Sequence, residues 1–200
     1  MTLVLVIIIS AISLLAFSRQ ELLYKYQFNA YQIVRKKQWY RILSHGFLHA
    51  NMEHLFVNMF VLYSFGSAVE DYFKVFGDKW LLYYLLLFFG GIVLSSVYSL
   101  IKHKDNYHYN AVGTSGAVSA VVFAAIFFDP WRKILFFFIL PIPGIVFAGL
   151  YLAYSYYMSK RKMDNIGHDA HFWGAIYGLA FPIIVNPELF NFFINQLFKT

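Results

Sequence analysis

Gly113-Thr114-Ser115-Gly116-Ala117-Val118-Ser119-Ala120 sets a serine between glycines at the mouth of an apolar run that continues to Phe128. A hydroxyl is a poor nucleophile until a base takes its proton. A base stands far downstream at the head of another apolar run, in Asp169-Ala170-His171-Phe172-Trp173-Gly174-Ala175-Ile176-Tyr177-Gly178. A serine and a histidine that can meet are the minimum pair for acyl transfer. The G-x-S-G pattern by itself says little, because glycine and serine pack transmembrane helices of every kind. The surrounding chain decides its meaning.

That chain is 60% hydrophobic and 22% aromatic, with 13% charged residues and no cysteine. Such a composition over 200 residues is too apolar for a soluble domain and reads as a polytopic membrane protein. The lack of cysteine excludes disulfides, thiolate metal sites and a cysteine nucleophile. The net charge of +6 comes from basic residues clustered in short loops between apolar segments, where they meet lipid headgroups rather than nucleic acid. No polar segment is long enough for a separate soluble domain, so residues 1–200 read as a single membrane domain.

The apolar segments predict an all-α polytopic bundle of six transmembrane helices, at about 1–17, 51–71, 80–101, 113–128, 134–157 and 169–186. The first reads as a helix rather than a leader, since no basic residue precedes it and no small-x-small site follows. Residues 18–50 form an amphipathic connection whose aromatics and cations suit the membrane interface. The fourth segment, roughly 24 Å long at 1.5 Å per residue, needs protein around it. Pro141, Pro143 and Gly144 predict a kink in the fifth. Asn186-Pro187 ends the sixth, and the Phe-rich tail suits the interface.

Because direction alternates, the second, fourth and sixth helices run the same way. Their opening turns carry His54 with Asn58, Ser115, and His171, which gathers these groups near one face of the membrane. A polar cluster sunk in a bilayer is costly and marks a functional site. His54 and Asn58 share a helical face. An imidazole N–H, an amide and the backbone N–H of Ser115 can all donate to a developing oxyanion. A purely structural reading stands beside it, with His45 and His49 capping loop backbone and Asn58 bonding a neighbouring helix. Seven histidines raise the question of a metal, but there is no His-Glu-x-x-His and carboxylates near them are sparse, so neither metal nor cofactor is expected. Small residues at Gly116, Ala120 and Ala124, and at Gly174 and Gly178, let the fourth and sixth helices approach closely.

The order and spacing of these pieces, from Tyr40-Arg41 through Gly178, resemble the rhomboid family of intramembrane serine proteases. Tyr40-Arg41 looks like its aromatic-arginine pair. His45, His49, His54 and Asn58, followed by Gly66 and Glu70, fit its second-helix pattern. Gly113-Thr114-Ser115-Gly116 matches its nucleophile motif, and Ala170-His171-Phe172-Trp173-Gly174 matches that of its base. The resemblance implies a rhomboid-like bundle and a serine endopeptidase. Ser115 would be the nucleophile and His171 the general base, with His54, Asn58 and the Ser115 N–H as the oxyanion hole. Arg41, His45, His49, Glu70, Gly113, Gly116, Gly174 and Gly178 would be its structural motif residues. One departure stands out: some members carry an aromatic ring four residues after the serine, packed on the histidine, where this chain has Ser119. The orientation of the base then falls to another group, such as the Ser119 hydroxyl.

The expected partners are transmembrane segments of single-span proteins, which must unwind locally before attack, together with membrane lipids. The resemblance implies the plasma membrane, with the site facing the extracytoplasmic side. By the helix limits above, eleven of the sixteen Lys and Arg would then lie outside, contrary to the positive-inside rule, and six of those fall in the long connection 18–50, where the rule weakens. The kinked fifth helix is the expected side gate, and Lys160 to His168 the expected lid. The competing reading is a catalytically inactive relative that binds or escorts transmembrane segments through the same cavity. A solute transporter fits less well, since no inverted repeat is evident.

Overall fold

The computed structural model describes residues 1–136, 139–161 and 166–198. Among the described residues ten α-helices follow one another: α1 (Thr2–Ser18), α2 (Gln20–Tyr26), α3 (Ala30–Lys36), α4 (Arg41–Ser44), α5 (Met52–Lys74), α6 (Trp80–His103), α7 (Ser115–Phe128), α8 (Gly144–Arg161), α9 (His168–Val185) and α10 (Leu189–Leu197). A small hairpin, β1 (Lys133–Phe136) and β2 (Leu140–Pro143), lies between α7 and α8. Five of the six expected helices appear within a few residues of their predicted limits, as α1, α5, α6, α7 and α9. The starts are chemically marked. Asn51 caps α5 by accepting from the His54 amide at 2.8 Å, and Asn29 caps α3 from Gln32 in the same way.

Every residue of α7 after Ser115 is buried. A helix of 14 residues is about 21 Å long, short of a hydrocarbon core, and it survives because α5, α6, α8 and α9 enclose it. The enclosing helices turn apolar side chains outward, among them Phe56, Leu86, Leu150 and Ile184. So much exposed apolar surface fits lipid, not water. Among the described residues, Trp80–His103 alone is a single helix long and apolar enough to cross a membrane. Thr2–Ser18 qualifies jointly with Gln20–Tyr26, across a bend of 118°. The architecture is a helical membrane bundle with one hairpin added.

Contacts fix the helix directions. At one end Tyr72 stacks on Phe128 at 4.9 Å, and Phe73 meets Phe181 at 6.1 Å. At the other, Gly113 lies against His54 and Gly116 lies near Ala170. Thus α5, α7 and α9 run parallel, as strict alternation requires, and their openings share one end. Against them α6 runs the opposite way, with Lys102 bonded to Asp169 at 2.8 Å and the Tyr177 hydroxyl donating to the Leu86 carbonyl at 3.0 Å. The tail packs beneath α7, where Phe193 stacks on Phe127 at 4.7 Å.

The fifth expected helix, 134–157, is corrected by the structure: Lys133–Phe136 and Leu140–Pro143 are the strands of the hairpin, and α8 begins only at Gly144. The reason is the Pro141-Ile142-Pro143 spacing. Two prolines two residues apart each lack a donor and push the residue before them into extended backbone. A helix cannot hold them, whereas a two-stranded hairpin has an unpaired edge that can. Leu135 pairs with Pro141 and Lys133 with Pro143. The prolines therefore start the helix late and do not kink it.

Candidate active site

The site is assembled by a helix crossing. A Cβ on Gly174 would run into the backbone carbonyl of Gly116, and one on Gly178 into that of Ala120. Only hydrogen at both positions allows α7 and α9 to touch backbone to backbone. Ser115 directly precedes Gly116, and His171 lies one turn before Gly174, so both stand at the open end of this crossing. Ser115 is half-buried, as is His171. The Ser115 amide belongs to the first turn of α7, whose N–H groups the helix itself leaves without intrahelical partners.

Gly113 has φ of +128°, a backbone region that favours glycine. A Cβ there would also lie 2.7 Å from His54 Cε1, so the bare backbone is what lets this imidazole sit over the turn leading to Ser115. Asn58 is buried, and its amide donates to the His54 carbonyl one turn earlier at 2.8 Å. The bond to a neighbouring helix expected for Asn58 is thus replaced by one within α5.

Behind these groups stands a polar scaffold from the connection 18–50. His49 is fully buried and bridges two hydroxyls, with Nδ1 2.9 Å from Ser13 Oγ and Nε2 2.9 Å from Thr114 Oγ1. Ser13 already donates to the Phe47 carbonyl, so it accepts from Nδ1–H, which leaves Nε2 to accept from Thr114. This wiring requires a neutral ring. Burial, with a smaller push from His54, lowers the His49 pKa to about 3, and burial lowers that of His45 to about 4. His45 bonds the Arg41 carbonyl through Nδ1 at 2.9 Å, and its own carbonyl accepts from the Gly113 amide at 3.1 Å. The loop-capping alternative therefore describes His45, while His49 joins side chains of α1 and the Ser115 turn.

Arg41 is buried, and among the described residues no carboxylate pairs with it. Its guanidinium donates to the carbonyls of Tyr24 and Gln27 and to the side chains of Gln38 and Gln32, between 2.6 and 3.0 Å. These bonds fold α2 and α3 into one unit. A backbone bridge between Phe28 and Ala111 fastens that unit to the nucleophile turn. Glu70 sits at the opposite end, accepting from the Thr2 amide and from the Met1 amino group at 3.0 Å, and so holds α1 to α5. Among the described residues, no group of three or more His, Cys, Asp or Glu side chains is placed to hold a metal.

Two residues near His171 were not singled out by sequence. The phenol ring of Tyr151, from α8, stacks beside the imidazole with centroids 6.2 Å apart and planes 23° apart. Its hydroxyl shares a 2.7 Å hydrogen bond with Ser119 Oγ. The Ser119 hydroxyl, expected to orient the base directly, is bonded to Tyr151. The other is His168, whose ring lies 6.0 Å from that of His171 and edge-on to Tyr154. The missing ring at Ser119 was the available signal that another aromatic fills the place. Of the expected lid, 162–165 lie outside the described residues.

A half-buried polar cluster thus stands at the head of three parallel helices, among helices that turn apolar side chains outward. The family model of the Rhomboid domain matches residues 36–188, and the chain belongs to the rhomboid family, whose proteins are membrane proteins. It is 31% identical over 151 residues to the chloroplastic rhomboid-like protein 11 of Arabidopsis thaliana, covering 71% of this chain and 51% of that protein. It is 26% identical over 149 residues to the mitochondrial RHOMBOID-like protein 12 of the same plant, covering 67% of this chain and 43% of that one. With the rhomboid protease GluP of Bacillus subtilis it shares 27% identity over 149 residues, covering 74% of this chain and 27% of that protein. The chain thus spans about half or less of the length of these curated relatives.

Proposed function

We propose that this chain is an intramembrane serine endopeptidase that hydrolyses peptide bonds in or near transmembrane helices of other proteins. Ser115 Oγ attacks the scissile carbonyl carbon while His171 takes its proton. The imidazolium then gives that proton to the leaving amine, and water, deprotonated by the same histidine, hydrolyses the acyl-enzyme. His54, Asn58 and the Ser115 N–H donate to the oxyanion of the tetrahedral intermediate. The substrates are single-span segments with helix-breaking residues near the membrane face where Ser115 opens, since an intact helix shields its own peptide bonds. The bundle crosses the plasma membrane six times, with the site toward the extracytoplasmic side.

The observation that carries this reading is the backbone-to-backbone crossing at Gly116/Gly174 and Ala120/Gly178. Packing alone would favour small residues, but here they bring a serine and a histidine to one end of the same crossing, beside His54. Membership in a family that includes a bacterial rhomboid protease supports the same chemistry. The test is covalent labelling of the purified chain in detergent by a fluorophosphonate, together with cleavage of a single-span test substrate. Wild type labels and cleaves; Ser115→Ala does neither, and His171→Ala cleaves at least about a thousandfold more slowly. A folded wild type that neither labels nor cleaves would leave the noncatalytic binder of transmembrane segments as the function.

A further inference from the structure

His171 is flanked by a ring that comes from a different helix than the serine. Tyr151 lies beside the imidazole in the near-parallel arrangement described above, within the separation at which aromatic rings attract. Its own position is determined three ways. The hydroxyl is tied to Ser119 at 2.7 Å, Phe123 of α7 lies 5.4 Å away, and Phe147 lies 5.6 Å away one turn earlier on α8. A phenol fixed at its tip and packed at its sides holds one rotamer, and so presents a stationary wall to the histidine. The helix carrying that wall is itself lightly seated, for among its described residues only Gly144, Ala148 and Ser155 are buried.

We propose that Tyr151 is a positioning residue for His171, anchored by Ser119, and that it makes the orientation of the base depend on the seat of α8. The inference rests on the reading of His171 as the general base. With a ring on α7 four residues after Ser115, base and nucleophile would be aligned by the same two helices whatever α8 did. With Ser119 in that place, outward movement of α8 takes the ring away from the imidazole and breaks the Ser119–Tyr151 bond together. A substrate segment that parts α8 from α7 therefore meets a histidine without its wall, and acyl transfer waits until α8 reseats.

The experiment uses the full chain in detergent and a fluorophosphonate, resolving the maximal inactivation rate at Ser115 from the half-saturating concentration. Tyr151→Phe keeps the ring but loses its tie to Ser119 and should fall between wild type and Tyr151→Leu, which should lose about 10- to 100-fold in maximal rate with half-saturation unchanged, the scale expected when a reacting group is misplaced by about 1 Å. Adding Ser119→Tyr to Tyr151→Leu puts a ring back from α7 and should recover most of the loss. A Tyr151→Leu protein with wild-type maximal rate, a loss confined to half-saturation, or a double variant no faster than the single would overturn the inference. Failure of wild type to react would overturn the endopeptidase reading as well, whereas a reactive wild type beside an indifferent Tyr151→Leu overturns this inference alone.

Discussion

On one side of Ser115 the turn 111–114 is fastened at three residues: Ala111 to Phe28 by a backbone bridge, Gly113 to the His45 carbonyl at 3.1 Å, and Thr114 to His49 at 2.9 Å. On the other side α8 is held by a phenol, a few rings and three small buried residues. The first wall is polar and closed on itself, and each of its bonds lies in a low-dielectric setting where losing one partner leaves another unsatisfied. The second wall is mostly apolar, and lipid can replace much of its contact at little cost apart from the Ser119–Tyr151 bond, because hydrocarbon solvates aliphatic and phenyl groups as well as a neighbouring helix does. The difference separates a half of the site that cannot move without loss of stability from a half that can move at small cost.

The comparison breaks first if the shared frame of both walls tolerates bulk. Gly174→Val should abolish detectable cleavage and lower stability by about 1–3 kcal/mol or more, because the new side chain meets the Gly116 carbonyl rather than a flexible neighbour. Thermal melts in detergent beside fluorophosphonate labelling read both effects, and wild-type behaviour would mean that the crossing is looser than described.

Next in size is His49→Leu on the fastened wall. It strands the Thr114 hydroxyl, at about 1–3 kcal/mol, and leaves Ser13 with the Phe47 carbonyl alone, so the melt should fall by several degrees and labelling by about tenfold. Equal labelling in the variant would detach the scaffold from the nucleophile.

Acidification probes the same wall more gently. The folded pKa values of His49 and His45, about 3 and about 4, lie below the ordinary value of about 6.5. The unfolded chain therefore binds the extra protons, and stability is level above about pH 6.5 and declines as pH falls toward the folded values. The slope is at most about 1.4 kcal/mol per pH unit for each histidine. Melts between about pH 4 and 8 should show this decline, and His49→Leu should flatten part of it.

The smallest change in stability belongs to α8. Tyr154 and Tyr157 are exposed, and replacing both with alanine should shift stability by less than about 1 kcal/mol while raising cleavage of a single-span substrate a few-fold. Cysteines joining α8 to α5 should block that substrate reversibly and leave fluorophosphonate labelling intact. If the cross-link forms and cleavage is unchanged, entry lies elsewhere and the contrast between the walls loses its functional meaning.

Much of the fold was legible because lipid imposes a simple rule: an apolar segment flanked by polar loops is a helix, and consecutive helices alternate. That rule alone places His54, Ser115 and His171 at one end, and the observed parallel run of α5, α7 and α9 agrees. It failed just before Gly144, where apolar composition hid the strands Lys133–Phe136 and Leu140–Pro143 and the proline spacing was the stronger signal. It was silent on Arg41, whose carbonyl partners are backbone and carry no residue signature.

What is periodic or local could be read along the chain: the apolar runs, and the small residues that permit α7 and α9 to meet. Tertiary structure alone decided that His49 spans from Ser13 to Thr114, and that the ring beside His171 arrives from Tyr151, 20 residues before it. Such pairings depend on which rotamers of which helices converge in three dimensions, and a side chain's partner across a bundle leaves no spacing in the chain to read.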